Sequence, residues 1–213
     1  LPCATFACMP TLPKEVMLKK IREALATSVV QPFPESGEKT LVFPASSTHL
    51  EVEFAENFTK LQGQFAYCMG WQDLRQQVML LLKQKQWNKI FCNDPKIRQL
   101  LALEWHPDLA ICQASITDCE LLVARTGTIV LTTSQSGGRT ASVYAPVHIC
   151  IATMGQLVYD VREALELMRS KYGENLPSFI TFASGPSRTA DIEKTLVTGV
   201  HGPKEVFCFL VEP

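Results

Sequence analysis

The residues with the most chemistry to offer lie near the carboxyl terminus. The run Ser184-Gly185-Pro186-Ser187-Arg188-Thr189-Ala190-Asp191-Ile192-Glu193 is followed closely by Gly199-Val200-His201-Gly202-Pro203. Ser184, Gly185, Ser187 and Thr189 supply hydroxyls and backbone N–H groups. Arg188 supplies a guanidinium able to grip a carboxylate or phosphate with two parallel hydrogen bonds. Ser187 or Thr189 is placed to cap a helix over residues 191–196, whose amino terminus would favour an anion. The same residues also make a plain turn in which Arg188 pairs with Asp191 or Glu193. The preference of helix amino termini for negative charge favours the anion site. His201, set between Gly199 and Gly202, is either a donor and general acid/base with an ordinary pKa of about 6.5 or a side chain that holds the loop.

Other constellations are weaker. The loop over residues 134–139 is glycine-rich and ends in Arg139, but it lacks the Lys-Ser/Thr of a phosphate loop and the spacing of a dinucleotide fingerprint. It can serve as a second anion-binding wall of the same cleft. The four histidines are scattered without ligand spacing to Cys, Asp or Glu, so no metal site is specified. Asp191 and Glu193, two apart, would point to different helix faces and make a poor acid/base pair. His148 lies in an apolar run and reads as a core histidine. No nucleophile is assigned, because a base near Ser187 cannot be read from sequence.

These residues need elements to hold them. Met17, Leu18, Ile21 and Leu25 recur at helical spacing over residues 14–26, and a Pro/Gly-rich stretch then leads through an extended linker to residue 47. A helix over 50–61 stops at Gly63. Strands near 65–68 and 89–92 flank a helix over 73–85, and Asp94-Pro95 starts another helix, Asp as cap and Pro at the first position. Residues 121–131 read as two strand halves around a glycine, then come a strand at 147–152, a helix over 156–171 and a strand at 179–183. The alternation predicts an α/β fold with a largely parallel sheet. In such a sheet ligands sit where strands empty into loops, and the Ser184 run follows a strand.

Composition bounds the function. With 213 residues the chain can bury about 70% of its unfolded surface, enough for a core without disulfides or metal. Twenty basic and 21 acidic residues give a net charge of -1, which supplies no electrostatic footprint for nucleic acid or an acidic membrane. The apolar runs fall far short of the roughly 20 residues of a membrane span, so a soluble chain is expected. The eight cysteines, Cys3, Cys8, Cys68, Cys92, Cys112, Cys119, Cys150 and Cys208, sit mostly in apolar stretches and form no Cys-x-x-Cys pair. They read as small hydrophobes in a reducing cytoplasm, not as cluster ligands. Residues 1–10 lack a basic region before an apolar core and do not read as a signal peptide.

The two carboxyl-terminal motifs, together with Thr126-Gly127-Thr128, Arg139 and Pro146-Val147-His148-Ile149 in that order, resemble the LUD-domain family of the lactate-utilization protein C type. The resemblance spans residues 64–213, with residues 1–63 as an amino-terminal arm and lead-in helices. It implies a three-layer α/β/α fold around a mostly parallel sheet, similar to the glucosamine-phosphate isomerase, ribose-phosphate isomerase and CoA-transferase group. It also implies an accessory, non-redox subunit supporting iron-sulphur-dependent oxidation of L-lactate to pyruvate. The clusters would reside in partner subunits and no cofactor in this chain. Ligand contacts are expected from Ser184, Gly185, Ser187, Arg188, Thr189, His201, Gly202, Thr126, Gly127 and Arg139. The residue before Thr126-Gly127, often acidic in such sequences, is Arg125 here. The fold's relatives suggest another reading, a free-standing enzyme or sensor for a small phosphorylated or CoA-linked anion. Whether the chain is catalytic alone stays open in both.

Overall fold

The computed structural model describes residues 13–26, 49–137, 140–189 and 197–212. Arg139, the helix expected over 191–196 and the linker from residue 31 to residue 47 lie outside them. The chain divides into two units, Leu1–Pro44 and Ala45–Pro213. In the first, helix α1 (Pro13–Leu25) forms on the apolar repeat read from the sequence, and none of its residues is buried.

The second unit begins with α2 (Leu50–Lys60), β1 (Gln64–Cys68), α3 (Trp71–Lys85), β2 (Ile90–Phe91) and α4 (Pro95–Leu101). Asp94 caps α4 as expected, Oδ1 accepting from the N–H groups of Lys96 and Ile97 at 2.8 and 2.9 Å. Then follow β3 (Ala114–Asp118), β4 (Leu121–Val123), β5 (Thr128–Thr132), α5 (Ala141–Tyr144) and β6 (Val147–Thr153). Last come β7 (Leu157–Val158), α6 (Val161–Tyr172), β8 (Ile180–Ala183), β9 (Arg188–Thr189), β10 (Val197–Thr198) and β11 (Glu205–Val211).

The core is a five-stranded sheet in the order β1-β11-β6-β3-β2, with every pair parallel. Its central strands are buried on both faces, so they read as continuous apolar runs. Period-two alternation sorts their side chains. Val147, Ile149 and Ile151 of β6 and Phe207, Phe209 and Val211 of β11 pack with Leu74, Val78 and Leu82 of α3 and Ile97 and Leu101 of α4. Cys150, Ala152, Cys208 and Leu210 face the other way, onto Phe54 and Phe58 of α2 and Leu122, Ile129 and Leu131 of β4 and β5. The α/β architecture with a parallel central sheet and flanking helices is thus present.

The structure adds a second sheet, β7-β4-β5-β8, in which β5 runs antiparallel to both β4 and β8. It covers one face of the parallel sheet and is itself covered by α6, through Val123, Val130, Val158 and Ala164. The strand before the Ser184 run, β8, belongs to this second sheet. The helix read over 156–171 begins later, because residues 154–158 form a 3-10 turn and β7, and Asp160 caps α6 by accepting from Arg162 N at 2.8 Å. The strand expected over 89–92 shortens to two residues.

Candidate functional site

The carboxyl-terminal motifs meet as one hairpin. Arg188 pairs with Thr198 and Thr189 with Val197 across β9 and β10. Ser187 N donates to Pro203 O at 3.0 Å, and Gly199 N donates to Ser187 O at 2.9 Å. A Cβ on Gly202 would stand 3.0 Å from Ser187 Cβ, so the two motifs are in contact. Arg188 and His201 are exposed, while Ser187, Thr189 and Gly202 are half-buried. Lys204 N donates to Pro146 O at 2.7 Å, which fixes the base of the hairpin beside the amino ends of β6 and β11.

Ser184, Gly185, Thr126 and Gly127 lie together too, around the end of α2. A hydroxyl chain runs from Thr126 Oγ1 through Thr128 Oγ1 to Ser184 Oγ, each step 2.7 Å. Gly127 (φ +57°) and Gly185 (φ +81°) occupy the left-handed region. A Cβ on Gly127 would meet Phe58 N at 2.5 Å, and one on Gly185 would meet Leu61 O at the same distance. Asn57 Nδ2 donates to the carbonyls of Ala124 and Arg125 at 3.0 and 3.1 Å. These two glycines therefore let α2 seat against the β4–β5 turn and the end of β8. Arg125 pairs with Asp160 at 2.5 Å, tying that turn to the cap of α6. The carboxylate of Asp160 is held below its ordinary range, first by the Arg162 N–H and then by Arg125.

A cleft of about 460 Å³ opens at the other end of the parallel sheet, among the carboxyl ends of its strands. It is lined by Asp94 after β2, Asp118 at the end of β3, and Ile151, Ala152, Thr153 and Gln156 at and beyond the end of β6. Trp71 of α3 and Lys96, Ile97 and Leu100 of α4 complete the wall. This is where an open parallel sheet places ligands, because connections diverge to opposite faces there. From β2 the chain goes to β3 through α4 on one face, and from β3 to β6 through the second sheet on the other. The cleft and the hairpin base are separated by the length of β6, roughly 20 Å at the usual rise of a strand.

The polar groups of the cleft differ in how far they are engaged. Gln156 Oε1 accepts from Thr153 N and Oγ1 at 2.8 and 3.0 Å, and its Nε2 donates to Cys119 O at 2.5 Å. Asp94 caps α4 and accepts from Ser136 Oγ at 3.3 Å. Asp118 Oδ1 and Gln135 Nε2 are buried and lack a hydrogen-bond partner. Burial lifts the Asp118 carboxyl above its ordinary pKa; the adjacent Gln135 amide opposes the rise, and the charges of Asp94 and Glu120 reinforce it. None of these residues except Asp94 stands out in the sequence. Asp118 could have been found only by recognising β3, whose alternating polar residues conceal it.

Two buried polar groups next to these sites are structural. His148 Nε2 lies 2.9 Å from Thr117 Oγ1, and the single Thr117 hydroxyl hydrogen goes to Asp118 O at 2.8 Å, so the imidazole is the donor to Thr117. Burial pushes the His148 pKa down to about 4, leaving it neutral, as befits the core histidine read from the sequence. Glu120 is buried at the turn between β3 and β4. Desolvation raises its pKa, but Lys171 and Tyr172 of α6 and Thr132 of β5 outweigh that and hold it below the ordinary value.

Comparison with known proteins places these features in a family. The LUD domain model matches residues 84–211. Lactate utilization protein C of Shouchella clausii is 40% identical over 102 residues, covering 47% of this chain and 44% of that protein. The protein of the same name from Deinococcus radiodurans is 37% identical over 107 residues, 50% of each chain. That from Bacillus subtilis is 38% identical over 98 residues, 45% of this chain and 41% of that one. The chain spans about half the length of the curated relatives it matches. The crystal structure of a DUF162 family protein from Deinococcus radiodurans superposes with a TM-score of 0.60 at 20% identity, over 79% of this chain and 99% of that one, a likeness of fold. A family model that takes in β2 to β11, and with them the hairpin and all of the cleft lining but Trp71, makes this chain a member of the LUD domain family.

Proposed function

We propose that this chain acts in lactate utilization, as an accessory, non-redox LUD subunit of a cytoplasmic system whose iron-sulphur partner subunits oxidise L-lactate to pyruvate. The observation that carries the reading is the match of its LUD domain to proteins named lactate utilization protein C at 36–40% identity. The oxidation breaks the Cα–H and O–H bonds of lactate and forms a carbonyl. Two electrons pass to the partners' clusters and two protons to water.

The burial of the described cysteines supports leaving the clusters to the partners. Cys68, Cys92, Cys112, Cys119, Cys150 and Cys208 are all buried. Burial raises the thiols of Cys68 and Cys92 to about 11, against the thiolate that a cluster requires. In this reading electron transfer belongs to the partners. What the chain contributes is recognition: Arg188, exposed on the hairpin, provides a guanidinium for an anionic group, beside the hydroxyls of Ser187 and Thr189 and the imidazole of His201.

Growth on L-lactate as carbon source tests this reading. Deleting the gene for this chain should abolish growth on L-lactate and spare growth on pyruvate, and the wild-type chain should restore it. Arg188→Ala should restore it poorly while melting as the wild type does, since one charge-assisted grip is worth about 1.5 to 3 kcal/mol, roughly ten- to a hundred-fold in affinity. Unimpaired growth of the deletion strain would overturn the proposal. Full rescue by Arg188→Ala would remove only the hairpin from it.

A further inference from the structure

The cleft at the carboxyl ends of the parallel sheet is far from the signature hairpin, and its chemistry can be read by elimination. Gln156 and Thr153 bond to each other and to Cys119, and Asp94 is engaged in capping α4 and with Ser136. Three polar side chains remain, Trp71, Lys96 and Asp118. The Trp71 indole and the Lys96 ammonium make no hydrogen bond or ion pair among the described residues, and the buried Asp118 oxygen has the equally unbonded Gln135 amide as its neighbour on the protein side. Beside them stands an apolar wall of Ile97, Leu100 and Ile151. Lys96 and Asp118 line a cleft that lies where this architecture places ligands, at the carboxyl ends of the parallel strands.

We propose that this cleft is a small-molecule site of the domain and that it takes a short 2-hydroxy acid, with Lys96 pairing its carboxylate, Asp118 bonding its hydroxyl and the apolar wall receiving its alkyl end. The ligand complements two of the groups that line the cleft: one cation for the carboxylate and one carboxyl group for a hydroxyl on the next carbon. The elevated pKa of Asp118 fits this pairing, since a carboxyl that holds its proton more readily repels the ligand's carboxylate less than a full charge would. At about 460 Å³ the cleft is roomier than a three-carbon acid needs, so alkyl chains longer than that of lactate also fit. A 2-amino acid offers the same two functions with an ammonium in place of the hydroxyl, and the experiment separates the two. The choice of the hydroxy acid rests on the reading of the chain as a lactate-utilization protein, whereas the place of the site and its two contacts rest on the cleft alone.

The test is ligand-observed NMR titration of the purified chain with L-lactate, L-alanine and propionate. L-Lactate should bind, and propionate, which lacks the hydroxyl, should bind about ten-fold more weakly or worse, as should L-alanine. Asp118→Ala and Lys96→Met should each weaken L-lactate by about ten-fold or more. Neither should lower the melting temperature: Lys96 is exposed, and Asp118 is a half-buried acid whose ionised form is disfavoured in the fold. Absence of L-lactate binding, equal binding of propionate, tighter binding of L-alanine, or unchanged binding by both variants would overturn the proposal. These results leave the growth phenotype of the deletion strain untouched, so failure of the cleft and failure of the lactate role are distinguishable.

Discussion

A buried histidine and a half-buried carboxyl shape how this protein responds to acid, in opposite senses. His148 has its pKa lowered to about 4 by burial, so the unfolded chain binds more protons than the folded one between that value and the ordinary 6.5. Stability contributed by neutral His148 is complete above about pH 6.5 and is lost as pH falls through 4, by on the order of 3 kcal/mol. Asp118, with its pKa raised, works the other way: the folded chain holds its proton more readily, and stability falls as pH rises from the ordinary carboxyl value. Denaturant unfolding at a series of pH values should show His148→Gln with a shallower loss than wild type between pH 6.5 and 4. Identical slopes for the two proteins would contradict the account of a desolvated, neutral imidazole.

At the scale of elements, two glycines of the signature motifs are packing devices. Gly127 and Gly185 both adopt positive φ and both meet the backbone of α2 closely, at Phe58 N and Leu61 O. An alanine at either position would strain the turn and push against backbone, which cannot move aside as a side-chain tip can. Gly127→Ala should therefore destabilise the chain by about 2 to 4 kcal/mol, with Gly185→Ala in the same direction. At Gly155 an added methyl would enter open space, with nothing within 4 Å, and φ is not positive there. Gly155→Ala therefore serves as the control and should stay within about 0.5 kcal/mol of wild type. Chemical denaturation of the three variants measures this, and equal stabilities would show that α2 does not rest on these turns.

For the molecule as a whole, the sequence is most legible where an apolar repeat or run is regular or a cap is explicit. Met17, Leu18, Ile21 and Leu25 mark α1, Asp94-Pro95 marks α4, and the apolar runs mark β6 and β11. The strand β3 escapes the same reading, although it is central. Its Ser115 and Thr117 are polar yet buried, satisfied by the Ala141 and Asp118 carbonyls, and such satisfaction depends on where the fold brings those carbonyls. The second sheet is hidden for a related reason, since β8 alone looks like any parallel strand until β5 pairs with it in the opposite direction. That pairing also decides which end of the parallel sheet each motif occupies. The hairpin of Ser187, Arg188 and His201 assembles from segments that lie close in the sequence. The cleft of Lys96, Asp118 and Gln156 draws on segments far apart in the chain, and only the topology brings them together.

The central claim, that this chain supports the oxidation of L-lactate by partner subunits, is tested most directly by adding it back. Extracts of cells lacking the chain are supplied with L-lactate, and pyruvate formation is followed before and after addition of the purified chain. Little pyruvate is expected from the extract alone, none from the purified chain alone, and a rate restored toward that of wild-type extract when the two are combined. Pyruvate formed by the chain alone, or a depleted extract that oxidises L-lactate as fast as the complete one, would contradict that claim.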